Sequence, residues 1–210
     1  MTDFEPAPAG EEGADRAERI VAAAYDMLNE HGLDGLTIRA VLDRTGLARR
    51  AFYECFSGKD DLMLAVFAST IHRATDRFRR RFAQLPAPLD RLRLIVVSII
   101  GDLSDMDERE RSHHRRSAAL SIEHLRLAEA RPDDLRVALD PLVTLIAEQL
   151  AIGVADGSIR ACAPQLTARL IYNLASNTAH HGFLGRPEGC ADPRHTSGEV
   201  WNFCRRAIVA

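Results

Sequence analysis

Apolar residues recur at helical spacing along most of the chain, and this pattern predicts helices rather than strands. In the first predicted helix, which begins near Asp15 and ends at Gly32, the apolar positions 20, 24, 27 and 28 form one stripe. No strand-like alternation of useful length is present, so the predicted fold class is all-α. The later helices are predicted over residues 59–84, 89–103, 112–131, 133–155, 166–184 and 199–209.

Two short helices joined by a tight turn are predicted between the first helix and residue 59. Thr37 can cap the start of one helix, because its hydroxyl can accept from a free backbone N–H. Thr45 and Gly46 end that helix, since glycine adopts the positive φ that a helix C-terminus often needs. A second helix is predicted from about Ala48 to Phe56. The spacing is typical of a helix-turn-helix unit.

The second short helix has two chemically different faces. At about 100° per residue, Ala48, Ala51, Phe52 and Cys55 fall on one face, which suits a core. Arg49, Arg50 and Tyr53 fall on another, which suits an anionic partner.

The basic character of the chain is local. The net charge is −3, and Lys59 is the only lysine. Residues 39–59 contain five cationic residues and only two acidic ones, Asp43 and Glu54. This local excess of positive charge favours a DNA-docking surface over nonspecific binding by the whole protein surface. The five are Arg39, Arg44, Arg49, Arg50 and Lys59.

This segment resembles the DNA-binding domain of the tetracycline-repressor (TetR-type) regulators. The resemblance covers about a quarter of the chain and includes the preceding helix, residues 19–32. Three departures mean that operator preference cannot be borrowed from another member: Ala48 replaces a capping Ser or Thr, 49–51 is Arg-Arg-Ala, and Cys55 replaces a backbone-contacting His. The residues that carry the resemblance are Thr37, Ile38, Thr45, Gly46, Leu47, Phe52, Tyr53, Phe56, Lys59, Leu62 and residues 65–67.

The resemblance implies an N-terminal three-helix helix-turn-helix domain at 15–62 and a helical ligand-binding and dimerisation domain at 63–210. Residues 1–14, which are rich in Pro, Gly and acids, are expected to be a disordered tail. A homodimer on a palindromic operator is expected, with helices 133–155 and 166–184 forming a four-helix bundle across the two-fold axis. A small molecule in the second domain would tilt the helix that starts at Lys59, so a repressor is the favoured function.

Specific contacts follow from side-chain chemistry on this frame. Arg49 and Arg50 are the candidates for base-edge contact, because arginine pairs with guanine through two hydrogen bonds. The candidates for phosphate contact are Thr37, Arg39, Tyr53 and Lys59.

The effector is predicted to be a small hydrophobic or aromatic compound, because the helix at 89–103 is apolar nearly all round at residues 94–100. This helix is therefore expected at the centre of the second domain. The histidines leave three interpretations open: surface residues, a hydrogen-bonding group in a ligand cavity, or a metal site. The candidate lining of the cavity is Ile99, Leu103, Ser117, Leu120 and Asn177.

Other functional classes lack a sequence signal. No catalytic or nucleotide-binding motif is present, so the chain is not predicted to be an enzyme and no cofactor or metal is expected. The four cysteines form no CxxC pair, and no run of eighteen apolar residues or apolar N-terminal signal region predicts a membrane span or secretion. A cytoplasmic location is expected. Two alternatives stay open: a DNA-binding protein without ligand control, and an all-helical cytosolic enzyme.

Overall fold

The structure is a computed structural model that describes residues 9–100, 123–183 and 193–209. These residues are helical almost throughout, which confirms the all-α fold class. The chain divides into two compact units, Met1–Ser69 and Thr70–Ala210, and the division falls inside a long helix. The first helix starts at Ala9, so residues 9–14 of the expected tail are helical, and residues 1–8 lie outside the described part.

The first unit contains three helices and the beginning of a fourth. They are α1 (Ala9–Gly35), α2 (Ile38–Thr45), α3 (Arg49–Cys55) and α4 (Lys59–Phe82), whose remainder belongs to the second unit. Gly32 has φ 67° and ψ −162°, which interrupts α1 close to its end. Only glycine adopts such a conformation without steric cost, so the predicted end of the first helix at Gly32 coincides with a real break.

Local capping chemistry fixes the turn between α2 and α3. The Thr37 hydroxyl oxygen accepts from the Ala40 N–H at 3.1 Å, as predicted. Gly46 ends α2 with φ 69°, and its N–H donates to the Leu42 carbonyl at 2.9 Å. Ala48 precedes α3 without a side-chain cap, so this helix depends on packing for its stability.

Packing of α3 against the first unit's core determines which of its faces is exposed. Phe52 is completely buried, and its ring lies 5.6 Å from that of Phe56 between centroids. Burial of an aromatic side chain contributes about 1.5–3 kcal/mol, so these two rings hold the short helix in place. The other buried side chains of the unit include Ile20, Ala24, Leu28, Leu36, Val41, Leu62, Met63 and Val66.

The second unit is a bundle built around one apolar helix. Its helices after α4 are α5 (Pro88–Ile100), α6 (residues 123–130), α7 (Pro132–Ala155), α8 (Pro164–Phe183) and α9 (Pro193–Ile208). Helix α5 contacts α7, α8 and α9, which confirms its predicted central place. Its buried residues include Leu92, Ile95, Val96 and Ile100, whereas Leu94 and residues 97–99 are only half-buried.

Prolines begin four helices of this unit, α5, α7, α8 and α9. Proline suits the first turn because its fixed φ is helical and its missing N–H would have no intrahelical acceptor there. Helix α9 therefore starts at Pro193, although residues up to 198 were expected to be loop. Trp201 on α9 is buried.

The turn after α7 closes back onto that helix. A Cβ atom at Gly153 would lie 2.5 Å from the Ile159 side chain, so only glycine permits this approach without a shift. The Ile159 N–H donates to the Gly153 carbonyl at 2.9 Å, and the Arg160 N–H donates to the Ile208 carbonyl at 2.9 Å. The first bond closes the turn onto α7, and the second attaches the end of α9 to the turn.

Helix α7 is long and apolar enough to cross a membrane by length and composition alone, and it is the one such helix in the described ranges. Half of its most apolar stretch is buried inside the protein, where α5 and α8 pack against it. A core helix passes the same test, and this packing is that of a core helix.

Candidate nucleic-acid interface

The exposed side of α3 presents four polar or aromatic side chains. At about 100° per residue, Arg49, Tyr53, Arg50 and Glu54 span an arc of roughly 140°. All four are exposed, and the opposite side carries the buried Phe52. The predicted cationic face is therefore presented to solvent, but it also contains a carboxylate that the sequence interpretation did not include.

Arg49 and Tyr53 form one pair on this face. A terminal nitrogen of Arg49 donates to the Tyr53 hydroxyl at 3.3 Å, and the guanidinium carbon lies 5.6 Å from the centre of the ring. The Tyr53 ring also meets Phe52 edge-on at 5.3 Å. Contacts of this kind restrict the Arg49 side chain while leaving it accessible to a partner.

Arg50 and Glu54 form a second pair, and a third residue joins it from α1. The Arg50 Nε donates to Glu54 Oε1 at 3.0 Å, and an Arg16 terminal nitrogen donates to Glu54 Oε2 at 3.0 Å. Next to this bridge, Cys55 Sγ lies 3.8 Å from the Gly13 carbonyl oxygen. The i, i+4 spacing of Arg50 and Glu54 was visible in the sequence, whereas nothing local indicated Arg16.

The remaining predicted contact residues surround α3. Thr37, which caps α2, is exposed to solvent. Arg39 lies 3.8 Å from the Asp43 carboxylate, and both side chains are largely in solvent. Lys59 is exposed as the first residue of α4. Just before α4, Asp61 accepts a hydrogen bond from the Ser57 N–H at 2.9 Å and another from the Ser57 hydroxyl.

Arg44 has a structural place instead. Its two terminal nitrogens donate to both Glu30 carboxylate oxygens, at 2.6 and 2.7 Å, and so join α2 to α1. These bonds lower the pKa of Glu30 and raise that of Arg44. Among the five cationic residues between positions 39 and 59, Arg44 therefore has a structural role, because it holds α2 against α1.

The predicted effector residues are only partly within the described chain. Ile99 lies half-buried on α5, and Asn177 lies on the exposed side of α8, where its amide donates to the Asn173 carbonyl at 2.9 Å. Asn177 therefore belongs to an outer helix face rather than to a buried wall. Leu103, Ser117 and Leu120 lie outside the described residues.

A buried polar cluster lies between α6 and α8. His124 Nδ1 and His180 Nε2 are 2.8 Å apart in a hydrogen bond, and the Tyr172 ring meets His124 edge-on at 6.4 Å. Burial, with a smaller contribution from His180, lowers the pKa of His124 to about 4, and burial raises the pKa of Tyr172. No local sequence pattern predicts this pairing, and within the described ranges no three potential ligands are grouped around a metal position.

Comparison with known proteins agrees with this architecture. Residues 20–66 match the model of the bacterial regulatory proteins of the tetR family. The HTH-type transcriptional regulator YvdT of Bacillus subtilis is 23% identical over 192 residues, covering 91% of this chain and 94% of that protein. The regulator YdeS of the same organism is 36% identical over 67 residues, 32% of this chain and 31% of that protein.

Solved structures share the fold of the whole chain. RolR in complex with resorcinol superposes with a TM-score of 0.68 at 14% identity, covering 95% of this chain and 90% of that one. FadR from Bacillus subtilis in complex with stearoyl-CoA superposes with a TM-score of 0.66 at 15% identity, covering 91% and 98%. The segment that matches the tetR-family model contains the helix-turn-helix, and the solved regulators share the helical fold of the second unit. Together, the match of residues 20–66 and the similarity to YvdT support a TetR-family transcriptional regulator.

Proposed function

We propose that this chain is a homodimeric, ligand-responsive repressor that leaves a palindromic operator when a small hydrophobic effector binds its second unit. The observation that carries the proposal is the geometry of α3. One side of this helix is fixed in the core by Phe52, and the other presents Arg49, Arg50 and Tyr53 to solvent. A recognition helix needs such an arrangement, because its exposed side chains must reach base edges in the major groove.

Arg49 and Arg50 supply base recognition in this proposal, since the guanidinium fork matches the O6 and N7 atoms of guanine. The exposed Thr37, Arg39, Tyr53 and Lys59 supply phosphate contacts around the same helix. Phosphate contacts position the protein on any sequence, whereas base contacts select one sequence. The two groups are therefore distinguishable by experiment.

Dimerisation is supported by apolar side chains on the outside of α7 and α8. Leu166 and Leu170 of α8 are 61% and 60% exposed, and Val137 and Ile152 of α7 are 64% and 45% exposed. Pairing of these faces would bury them in a four-helix bundle, and Asn177 lies on the same α8 side. A two-fold dimer would place its recognition helices on half-sites roughly 34–36 Å apart.

The second unit supplies the effector site in this proposal. FadR and RolR, which share the fold, were solved with stearoyl-CoA, which has an apolar acyl chain, and with resorcinol, which has an aromatic ring. In this chain the half-buried side of α5, including Ile99, is the apolar surface on which we place the effector. The effector acts by binding the DNA-free state more tightly than the DNA-bound state, since a ligand shifts an equilibrium only by its differential affinity.

Selection from random duplex DNA, followed by gel shift, tests DNA recognition. We expect a palindromic sequence, bound at least about a thousandfold more tightly than unrelated DNA. Failure to enrich any sequence would contradict the regulator function.

Screening of apolar compounds by melting temperature and operator release tests effector control. A true effector raises the melting temperature and lowers operator affinity together, because it stabilises the non-binding state. Ile99→Trp should fill the site, abolish both responses and leave operator binding intact. Release by the same effector concentration in this variant would place the control site elsewhere. Conversion of the compound would favour an enzyme, and a complete lack of response would favour a constitutive DNA-binding protein.

Leu170→Glu tests the dimer face, because it places a charge where the α8 surfaces would meet. We expect a monomer by sedimentation and loss of operator binding. Phe203→Glu is the matched control, since Phe203 is 66% exposed on α9, outside the proposed interface. A dimer that survives Leu170→Glu would refute this choice of interface.

A further inference from the structure

The Glu54 carboxylate bridges two helices of the first unit. Its Oε1 atom accepts from Arg50 on the same helix and its Oε2 atom accepts from Arg16 on α1, each at 3.0 Å. The Arg16 side chain is 31% exposed and that of Glu54 is 45% exposed, so both are partly shielded from water. Each carboxylate oxygen is thus engaged by a different arginine, and the position of the carboxylate is fixed from both sides.

The bridge holds Arg50 at one particular atom. Glu54 accepts from Nε, and in the described part of the chain no side chain or carbonyl engages the two terminal nitrogens. The Arg50 side chain is 91% exposed, so without the bridge it would sample many rotamers. Fixing an arginine side chain costs conformational entropy, and the bridge offsets part of that cost before DNA arrives.

We propose that Glu54, supported by Arg16, is a specificity-determining positioning residue that aims the terminal fork of Arg50 at a guanine. This inference rests on the proposed DNA-binding function. Glu54 has a second, opposing effect, because its negative charge repels the phosphate backbone of every sequence. The carboxylate therefore lowers affinity for DNA in general and raises preference for guanine at one operator position.

A second arginine–carboxylate pair in the same unit provides a matched control. Arg39 and Asp43 are also four residues apart, but their closest atoms are 3.8 Å apart and their side chains are 93% and 73% exposed. No third residue joins this pair in the described chain. Asp43→Asn and Glu54→Gln each remove one negative charge from the DNA-binding unit, but only Glu54→Gln removes a bridge.

The experiment compares wild type, Glu54→Gln, Asp43→Asn and Arg50→Ala on three kinds of duplex. These are the sequence that wild type selects from random DNA, the same sequence with each guanine replaced in turn, and an unrelated duplex. The measured quantity at each position is the ratio of affinities for guanine and its replacement. Overall loss of folding or of affinity does not change this ratio at a single position.

Both charge-removing variants should bind the unrelated duplex more tightly, by similar factors. At one operator position, Glu54→Gln should in addition lower the preference for guanine by about three- to tenfold. This position should be the one at which Arg50→Ala loses its preference for guanine. The double variant Glu54→Gln/Arg50→Ala should lose no more there than Arg50→Ala alone. Arg16→Gln should reproduce part of the Glu54→Gln loss.

Glu54→Asp separates charge from geometry. It keeps the negative charge but shortens the side chain by one methylene, so it should lose guanine preference without any gain on unrelated DNA. This variant also carries the test if Glu54→Gln fails to fold, as judged by thermal melting.

Retention of the wild-type ratio at every guanine in Glu54→Gln and Glu54→Asp would overturn the inference, as would additive losses in the double variant. Failure of the proposed function has a different signature, since wild type itself would then select no sequence.

Discussion

Arg50 in the first unit and Arg91 in the second are both held through Nε, with opposite consequences. The Arg50 Nε donates to a carboxylate, and its terminal nitrogens face solvent. The Arg91 Nε donates to the Leu85 carbonyl at 2.6 Å, a terminal nitrogen donates to Gln149 at 3.1 Å, and the guanidinium lies 5.3 Å from the Phe82 ring centre.

The difference shows how one residue type serves recognition in one unit and stability in the other. Arg91 joins the end of α4, the following turn and the buried amide of α7, so two of its donors and the face of its guanidinium are engaged inside the protein. The terminal nitrogens of Arg50 remain available to hydrogen-bond an external partner. Substitutions should therefore affect stability in the second unit and DNA binding in the first, and each prediction below tests one side of this contrast.

Arg91→Ala should produce the largest effect. It removes the partner of the buried Gln149 amide, the bond to the Leu85 carbonyl and the contact with Phe82. An unsatisfied buried polar group costs about 1–3 kcal/mol, so the free energy of unfolding should fall by about 3–4 kcal/mol in urea titration. Arg93→Ala, on the exposed side of the same helix, should change it by less than about 0.5 kcal/mol. Equal losses in both variants would remove the contrast between the two arginines.

Acid should destabilise the protein through His124. Its pKa is about 4 in the folded protein against an ordinary value of 6.5, so between these values the unfolded chain binds a proton that the folded chain does not. Stability from this source is complete above about pH 6.5 and falls by up to about 3 kcal/mol as the pH approaches 4.

His124→Gln should reduce the dependence of unfolding free energy on pH by about one proton, or about 1.4 kcal/mol per pH unit within this window. The measurement is the slope of unfolding free energy against pH, obtained by urea titration from about pH 4 to 7. An identical slope in wild type and His124→Gln would mean that the pair of His124 and His180 does not resist protonation.

Arg50→Ala should cost about 1–3 kcal/mol of discrimination at one guanine of the operator. Unfolding free energy should change by less than about 0.5 kcal/mol, because an exposed ion pair contributes little to stability. Competition gel shifts and thermal melting measure the two quantities. A destabilised Arg50→Ala protein with unchanged base preference would make Arg50 a structural residue like Arg91.

Lys59→Ala should have the smallest effect, and one that is independent of sequence. Loss of one phosphate contact should reduce the slope of log affinity against log salt by about one unit. Operator and unrelated DNA should be affected alike. A change in base preference in this variant would move Lys59 from the phosphate-contacting group to the base-reading group.

Local chemistry made the helix-turn-helix predictable from sequence. The Thr37 cap, the positive φ at Gly46 and the burial of Phe52 each depend on residues within a few positions of one another. The start of α9 shows the limit of the apolar pattern, which predicts a helix from residue 199, whereas the helix begins at Pro193.

Long-range pairs could not be predicted, because periodicity and capping carry no information about distant partners. Arg16 and Glu54 are 38 positions apart, and His124 and His180 are 56 apart. The exposure of Asn177 was also not visible, since neighbouring positions of α8 are buried. Sequence thus predicted the frame and the outward-facing arginines, but not the bridge behind Arg50 or the histidine pair.

Lys59 carries the chain's only ε-amino group, and it is exposed at the first residue of α4. Amine-selective reagents above neutral pH therefore have a single lysine to modify, beside the face proposed to meet DNA. A fluorophore attached there would report occupancy of that face without an engineered cysteine, and bound duplex would shield the amine from acylation. In a dimer, one such label on each subunit would turn the separation of the two recognition helices into a measurable energy-transfer distance.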